Sequence, residues 1–313
     1  MAIQDTAVIV TASFSRYRPK VLDKKISREV GQSHGTDESA GDFMKRLFPS
    51  YKIGTGKDAT TVHTYPEMVK LLSKLDGLYA WHAKNTLVWD GKGRRILPAC
   101  TAEEHKQKFD TVIATLPDDL LSVELGFSDA IARAQMHLNG MFARSDYPRN
   151  GRELREKFAV SYTYEPIPTS VTGGQLPSAV LSMINSSIEA RVQSATENAM
   201  SDAWTRLYKC VEAFHKRLSE PGAIFRDSLV GNLRDVTDVL KKLNVTGSTE
   251  LETMRAKVAT DLTKWDPATL RDSEHARASV AATANGILAT MRGTRKIAMV
   301  TDDTENIRGT YEA

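Results

Sequence analysis

Apolar positions along this chain fall into two rhythms. Over the first half, short β-branched runs are mixed with helical spacings. Over the second half, apolar residues recur every three or four positions with little interruption. The stretch from Thr6 to Phe14 is rich in β-branched residues and alternates enough to predict a half-buried strand, edged by Pro19. Residues 31–42 are polar and Gly-rich, which predicts a loop. From Tyr65 to Asn85, Met68, Leu71, Leu72, Leu75, Leu78 and Tyr79 keep a helical spacing behind Pro66, a residue suited to a first turn. Two short apolar runs, Thr86–Trp89 and Ile96–Leu97, then flank AspGlyLysGly. That reads as a hairpin in which Gly91 and Gly93 supply positive φ.

Beyond the hairpin, Thr101 and Glu104 match a capping box opening a helix through about Ala114, and a second helix is expected from Leu120 to Phe142. SerAspTyrPro at 145–148 reads as a turn, Gly151 to Phe158 as a short helix, and Ala159 to Tyr164 as a strand. From Ser178 to Leu218 the spacing is helical over roughly 40 residues, which at about 1.5 Å per residue is about 60 Å of helix. A helix that long implies a hairpin, bundle or coiled coil around it. ProGly at 221–222 breaks it, and Phe225, Leu229, Leu233, Val236, Leu240 and Leu243 mark the next helix. Thr249 with Glu252 suggests a capping box for a third, and Asp266 with Pro267 opens a last, Ala-rich helix through about Met291.

The fold class expected is therefore α+β. A mixed domain over residues 1–172 joins, through ThrGlyGly at 172–174, a helical region over 175–295 and a polar tail over 296–313. No window approaches 18 uninterrupted apolar residues, and the N-terminus lacks a signal-peptide pattern, so a soluble, intracellular protein without a membrane partner is expected. Cys100 and Cys210 are too few for a disulfide framework or a cysteine-rich zinc site.

Charge changes this picture by its distribution. Residues 1–100 carry 16 Lys/Arg against 10 Asp/Glu, residues 101–200 carry 9 against 13, and residues 201–313 carry 17 against 16. The basic excess of the first third could attract a polyanion.

Catalytic motifs fail on inspection. GlyGlnSerHisGly at 31–35 matches a nucleophile elbow in letters, but a buried strand does not precede it and an apolar helix does not follow it. GlyThrGlyLysAsp at 54–58 departs from a phosphate-binding loop, with Tyr51 where a Gly is needed and Asp58 where a hydroxyl should hold magnesium. The histidines show no metal-ligand spacing, so no cofactor or metal is expected.

What remains is an interleaving of cations and aromatics: Phe14, Arg16, Tyr17, Arg18 and Lys20; Lys45, Arg46, Phe48, Tyr51 and Lys52; Trp89, Lys92, Arg94 and Arg95. Single-stranded nucleic acid is held by cations along its phosphates and by aromatic faces against its bases, so this pairing suits such a groove.

Several blocks also resemble a widespread family of uncharacterised tailed-bacteriophage proteins. They are SerArgTyrArgProLysValLeuAsp at 15–23, AsnThrLeuValTrpAspGlyLysGlyArgArgIleLeuProAla at 85–99, SerAspTyrPro at 145–148, GluLeuArgGluLysPheAlaVal at 153–160 and ProIlePro at 166–168. The resemblance implies a phage origin and a life in the host cytoplasm, and brings no catalytic residue with it.

The sequence reading is a non-enzymatic phage protein binding single-stranded DNA or other nucleic acid. Arg16, Arg18, Lys20, Lys92, Arg94 and Arg95 would contact phosphate, with Tyr17 and Trp89 stacking on bases. The alternative is a homo-oligomeric assembly protein built on the long C-terminal helices.

Overall fold

The computed structural model describes residues 2–35, 42–56, 59–172, 175–220 and 226–294. The chain is α+β, with a small sheet-bearing N-terminal region and long helices in its C-terminal part. Gly173 and Gly174 of the turn expected at 172–174, the break expected at 221–222, Phe225 and the polar tail over 296–313 lie outside the described residues. In chain order the elements begin with α1 (Ile3–Thr6), β1 (Ala7–Ser15), β2 (Lys20–Leu22), α2 (Lys24–His34), β3 (Met44–Arg46), β4 (Ser50–Ile53) and β5 (Thr60–His63). Next come α3 (Pro66–Lys84), β6 (Leu87–Val88), β7 (Arg94–Pro98), α4 (Ala102–Leu138), α5 (Gly151–Arg155) and β8 (Ala159–Glu165). The helices α6 (Ser178–Ser219), α7 (Ser228–Leu243), α8 (Thr249–Leu262), α9 (Pro267–Asp272) and α10 (Glu274–Thr294) follow. A four-stranded sheet has the order β6-β7-β1-β8, and β2-β3 and β4-β5 form separate two-stranded ribbons.

Contacts divide the chain into two units that interleave along the sequence, in place of the single boundary near residue 172 that the sequence suggests. One unit takes Met1–Val10, Lys84–Ala102 and Tyr164–Ala313; the other takes Thr11–Ala83 and Glu103–Thr163. The physical reason is apolar burial. Ile3, Ala7, Ile9, Leu87, Trp89 and Ile96, all N-terminal, share one core with Trp204, Leu207, Val211, Leu233, Val258 and Leu288 of the later helices.

Within this first unit, α6 is buried along its second half only: all of its buried residues lie at or after Ala195. Arg206 ties the β6-β7 hairpin to that helix by donating to the carbonyls of Lys84 and Thr86, each at 2.9 Å, while it pairs with Asp202 at 2.7 Å. Helix α8 is capped by Ser248, whose hydroxyl accepts from the Leu251 amide, one residue before the Thr249 expected. Glu252 is turned to Arg255 instead. Asp266 caps α9 as the sequence indicates, accepting from the amides of Ala268 and Thr269. The final helix is however broken at Ser273, which is extended and whose hydroxyl accepts from the Ala276 amide to start α10.

In the second unit, the apolar stripes of α3 (Met68, Leu71, Leu75, Leu78) and α4 (Phe109, Val112, Leu116, Val123) meet in one cluster with Leu154 and Phe158. The two helices expected at 101–114 and 120–142 are a single helix of 37 residues that runs through Pro117. Proline removes one backbone donor, yet the buried stripe continues without a break from Val112 through Leu116 to Leu120, and that packing holds the helix together. Thr101 does not cap it as a box; its hydroxyl donates to the Pro98 carbonyl.

Candidate nucleic-acid interface

The β6-β7 hairpin forms as expected, antiparallel, with Leu87 opposite Ile96 and Val88 opposite Arg95. Gly93 supplies positive φ at 83°, and Gly91 does not. Its side chains are arranged differently from the sequence reading. Trp89 is 2% exposed and belongs to the core, so it presents no face for a base. Arg94 is bound to Asp90. Burial raises the Asp90 carboxyl, but Arg94 and the Lys92 amide outweigh it and hold the pKa below the ordinary aspartate value. Arg95 donates to the Thr86 hydroxyl at 2.5 Å and the Thr86 carbonyl at 3.0 Å. Lys92 stays exposed at the turn.

The first cluster sorts the same way. Arg16 pairs with Asp76 and lies over the rings of Phe14 and Tyr79, so its charge is engaged. The Tyr17 ring packs against the cluster around Leu47 and Tyr147, and its hydroxyl is buried without a hydrogen-bond partner among the described residues. Burial, with a smaller contribution from Asp146, pushes that phenol up to about 12. The stacking role expected of Tyr17 and Trp89 thus meets two rings that are packed into the protein.

Arg18 and Lys20 are exposed, and the structure gives Lys20 a neighbour the sequence does not reveal. Strands β2 and β3 pair antiparallel with Lys20 opposite Arg46, Val21 opposite Lys45, and Leu22 opposite Met44. Burial alternates along both strands, so Lys20, Leu22, Met44 and Arg46 share the outer face, and Lys45 points inward. The buried lysine is fully served: its ammonium donates to the Met141 carbonyl at 2.8 Å and pairs with Asp146 at 2.7 Å and Asp23 at 3.4 Å. Desolvation lowers its pKa, but Asp146 and then Asp23 outweigh this and raise it above the ordinary lysine value.

The outer face is the reverse case. Lys20 and Arg46 make no ion pair among the described residues, although cross-strand partners stand about 5 Å apart at Cβ and like charges there are destabilising. A second unfavourable placement follows at once. Helix α2 begins with exposed Lys24 and Lys25 and has no acid in its first turn, where the helix dipole favours negative charge. Asp23 caps it by accepting from the amides of Lys25 and Ile26. Residues 31–34, expected in a loop, form the last turn of α2, which Gly35 ends at φ 62°. GlyGlnSerHisGly is therefore a helix end; the Ser33 hydroxyl donates to the Val30 carbonyl at 3.0 Å. Lys57 and Asp58 of the GlyThrGlyLysAsp segment, and residues 36–41, lie outside the described residues.

Two further polar arrangements escape the sequence. On the β4-β5 ribbon the cross-strand pair Ser50 and His63 lies within 2.7 Å, Oγ to Nδ1, and among the described residues no carboxylate orients the ring to complete a catalytic triad. His82 of α3 and His105 of α4 are buried side by side, Nδ1 to Nε2 at 2.9 Å, among Trp81, Phe109 and Tyr162. Among the described residues no three His, Cys, Asp or Glu side chains gather to hold a metal ion. No helix among them is long and apolar enough to cross a membrane.

No protein-family model, curated protein or solved structure matches this chain.

Proposed function

We propose that this protein binds nucleic acid through its phosphates, with the outer face of the β2-β3 ribbon and the start of α2 as the contact surface. The observation that supports this is the opposition of Lys20 and Arg46, for which no ion pair with a carboxylate is seen among the described residues. Such a pair costs folding free energy in isolation and becomes favourable when an anion lies between the two cations. Arg18 before the ribbon and Lys24 and Lys25 after it extend the same sign of charge, and an anion at α2 also suits the helix dipole. Since Trp89 and Tyr17 are packed away, binding rests on backbone contacts, and salt dependence is its signature.

Fluorescence anisotropy of a labelled single-stranded oligonucleotide and of a duplex, each across a salt titration, tests the proposal. Lys20→Ala/Arg46→Ala is expected to bind roughly tenfold more weakly and to lower the salt slope by roughly 1.5 to 2. Its melting temperature should equal or exceed that of the wild type, because a like-charge pair has gone. Lys92→Ala, on the hairpin, should bind within about twofold of the wild type. Equal affinity and slope for the double variant and the wild type, or no binding at low salt, would overturn the proposal.

A further inference from the structure

The first half of α6 carries an apolar stripe that the core of its unit meets only at its last position, Val192. Leu181, Ile184, Ile188 and Val192 step by three and four residues and continue, in the same spacing, into the buried Ala195, Ala199 and Ala203. The repeat of 3, 4 and 4 makes an 11-residue period, so the stripe runs nearly straight along the helix. From Ala195 onward it is covered, whereas Leu181, Ile184, Ile188 and Val192 are half-buried. On its flank Val180 is 36% and Met183 67% exposed. One edge of the stripe is served by the chain itself, because Asn185 holds Val171 by accepting from its amide at 2.7 Å and donating to its carbonyl at 3.2 Å. The other edge, with Met183, is exposed among the described residues.

We infer that this half of α6 pairs with the same segment of a second copy of the chain, antiparallel. Charge argues for a like partner. Residues 178–194 hold one acid, Glu189, and one base, Arg191, so two copies meet without net repulsion and the surface offers little to a strongly charged ligand. Orientation follows from what is already covered. The stripe beyond Ala195 is occupied by the unit's own core, so only the two first halves are available. An antiparallel overlap of those halves leaves the occupied half of each helix outside the contact. A two-fold axis near Ser186 and Ser187 sets Leu181 against the second copy's Val192, and Ile184 against the second copy's Ile188. Seventeen residues are about 25 Å of helix, and two such faces bury on the order of 1,000 Å², the lower end of specific interfaces. Interfaces at that end of the range belong mostly to weak, transient complexes, so the test is set around roughly micromolar concentration.

Sedimentation equilibrium of the full chain from about 1 to 100 µM reads this directly. The wild type is expected to pass from monomer to dimer across that range. Ile184→Glu/Ile188→Glu should stay monomeric throughout with unchanged helical circular dichroism, since both positions are half-buried in the monomer. A wild type that remains monomeric, or a folded double variant that still dimerises, overturns the inference. A second pair of proteins decides the matter independently of that variant's folding. Leu181→Cys and Val192→Cys, each made with Cys100→Ser to remove the exposed native thiol, are mixed and oxidised. Cross-linked dimers joining position 181 of one copy to position 192 of the other support the antiparallel pairing, and their absence refutes it.

Discussion

At the scale of single residues, burial decides the roles more than identity does. His105 is fully buried, and desolvation lowers its pKa to about 4. The rings around it are those of His82 on α3, Trp81, Phe109 and Tyr162, and the Tyr162 hydroxyl is itself turned to Asp110, donating to its carboxylate at 2.7 Å. A histidine held neutral binds its proton less readily in the folded state than in the unfolded one, where its pKa is about 6.5. Its contribution is therefore complete above about pH 6.5 and is lost as pH falls toward 4, amounting to roughly 3 kcal/mol. Urea unfolding at pH 7.5, 6.5, 5.5 and 4.5 should show that decline in a window above the one where Asp23, Asp90 and Asp110, all held below ordinary carboxylate values, begin to be protonated. A flat profile between pH 6.5 and 4.5 would contradict it. The hairpin gives a second residue-level contrast. Gly93 has a φ of 83° and Gly91 does not fall in the left-handed region, with open space where its Cβ would stand. Gly93→Ala should cost about 1 kcal/mol or more and Gly91→Ala almost nothing, as read from thermal unfolding. The sequence marks both glycines alike, since turn composition does not say which position turns. It equally marks Trp89 and Lys20 as candidates, because a short run reveals that one side of a strand is buried but not whether an aromatic lies on it. Arg46 gains its meaning only from register, which no local pattern encodes.

At the scale of elements, legible features are those written in local spacing or local caps. The 3–4 spacing locates α3 and α6 within a residue or two, the Asp266–Pro267 pair locates the start of α9, and the strand from 159 is found. Misjudged features are those settled by packing at a distance. Pro117 suggests a break that the continuous stripe of α4 overrides, and the polar residues 31–34 look like loop but complete the last turn of α2. Ribbons β2-β3 and β4-β5 are too short and polar to announce themselves. A tight approach between two elements adds a further prediction. Where α5 begins, a Cβ on Gly151 would stand 2.3 Å from the Glu124 carbonyl of α4, against backbone that cannot swing aside. Gly151→Ala must push α5 away from α4, and overpacking of this kind costs about 1 to 3 kcal/mol. Chemical denaturation should report that loss, whereas Gly231→Ala, on α7 with nothing near its Cβ, should not destabilise.

At the scale of the whole molecule, the α+β class is readable from the change of rhythm near the middle of the sequence, but the partition is not. The chain passes between its two units after Val10, Ala83, Ala102 and Thr163, so neither unit is one continuous stretch. Periodicity locates elements; it carries no information on which distant stripe covers a given one. The interleaving has a consequence for synthesis on the ribosome. Every residue of the second unit has been made once Thr163 is added, and that unit can close on itself as soon as it emerges. The hairpin carrying Leu87, Trp89 and Ile96 has by then been made, but its cover on α6 to α10 begins about a hundred residues later. At the usual pace of translation that is a wait of roughly ten seconds. For that interval an indole and two aliphatic side chains wait for their cover, and over its last thirty or so residues, from Thr163 to Ala195, they wait beside a neighbour in sequence that is already able to fold.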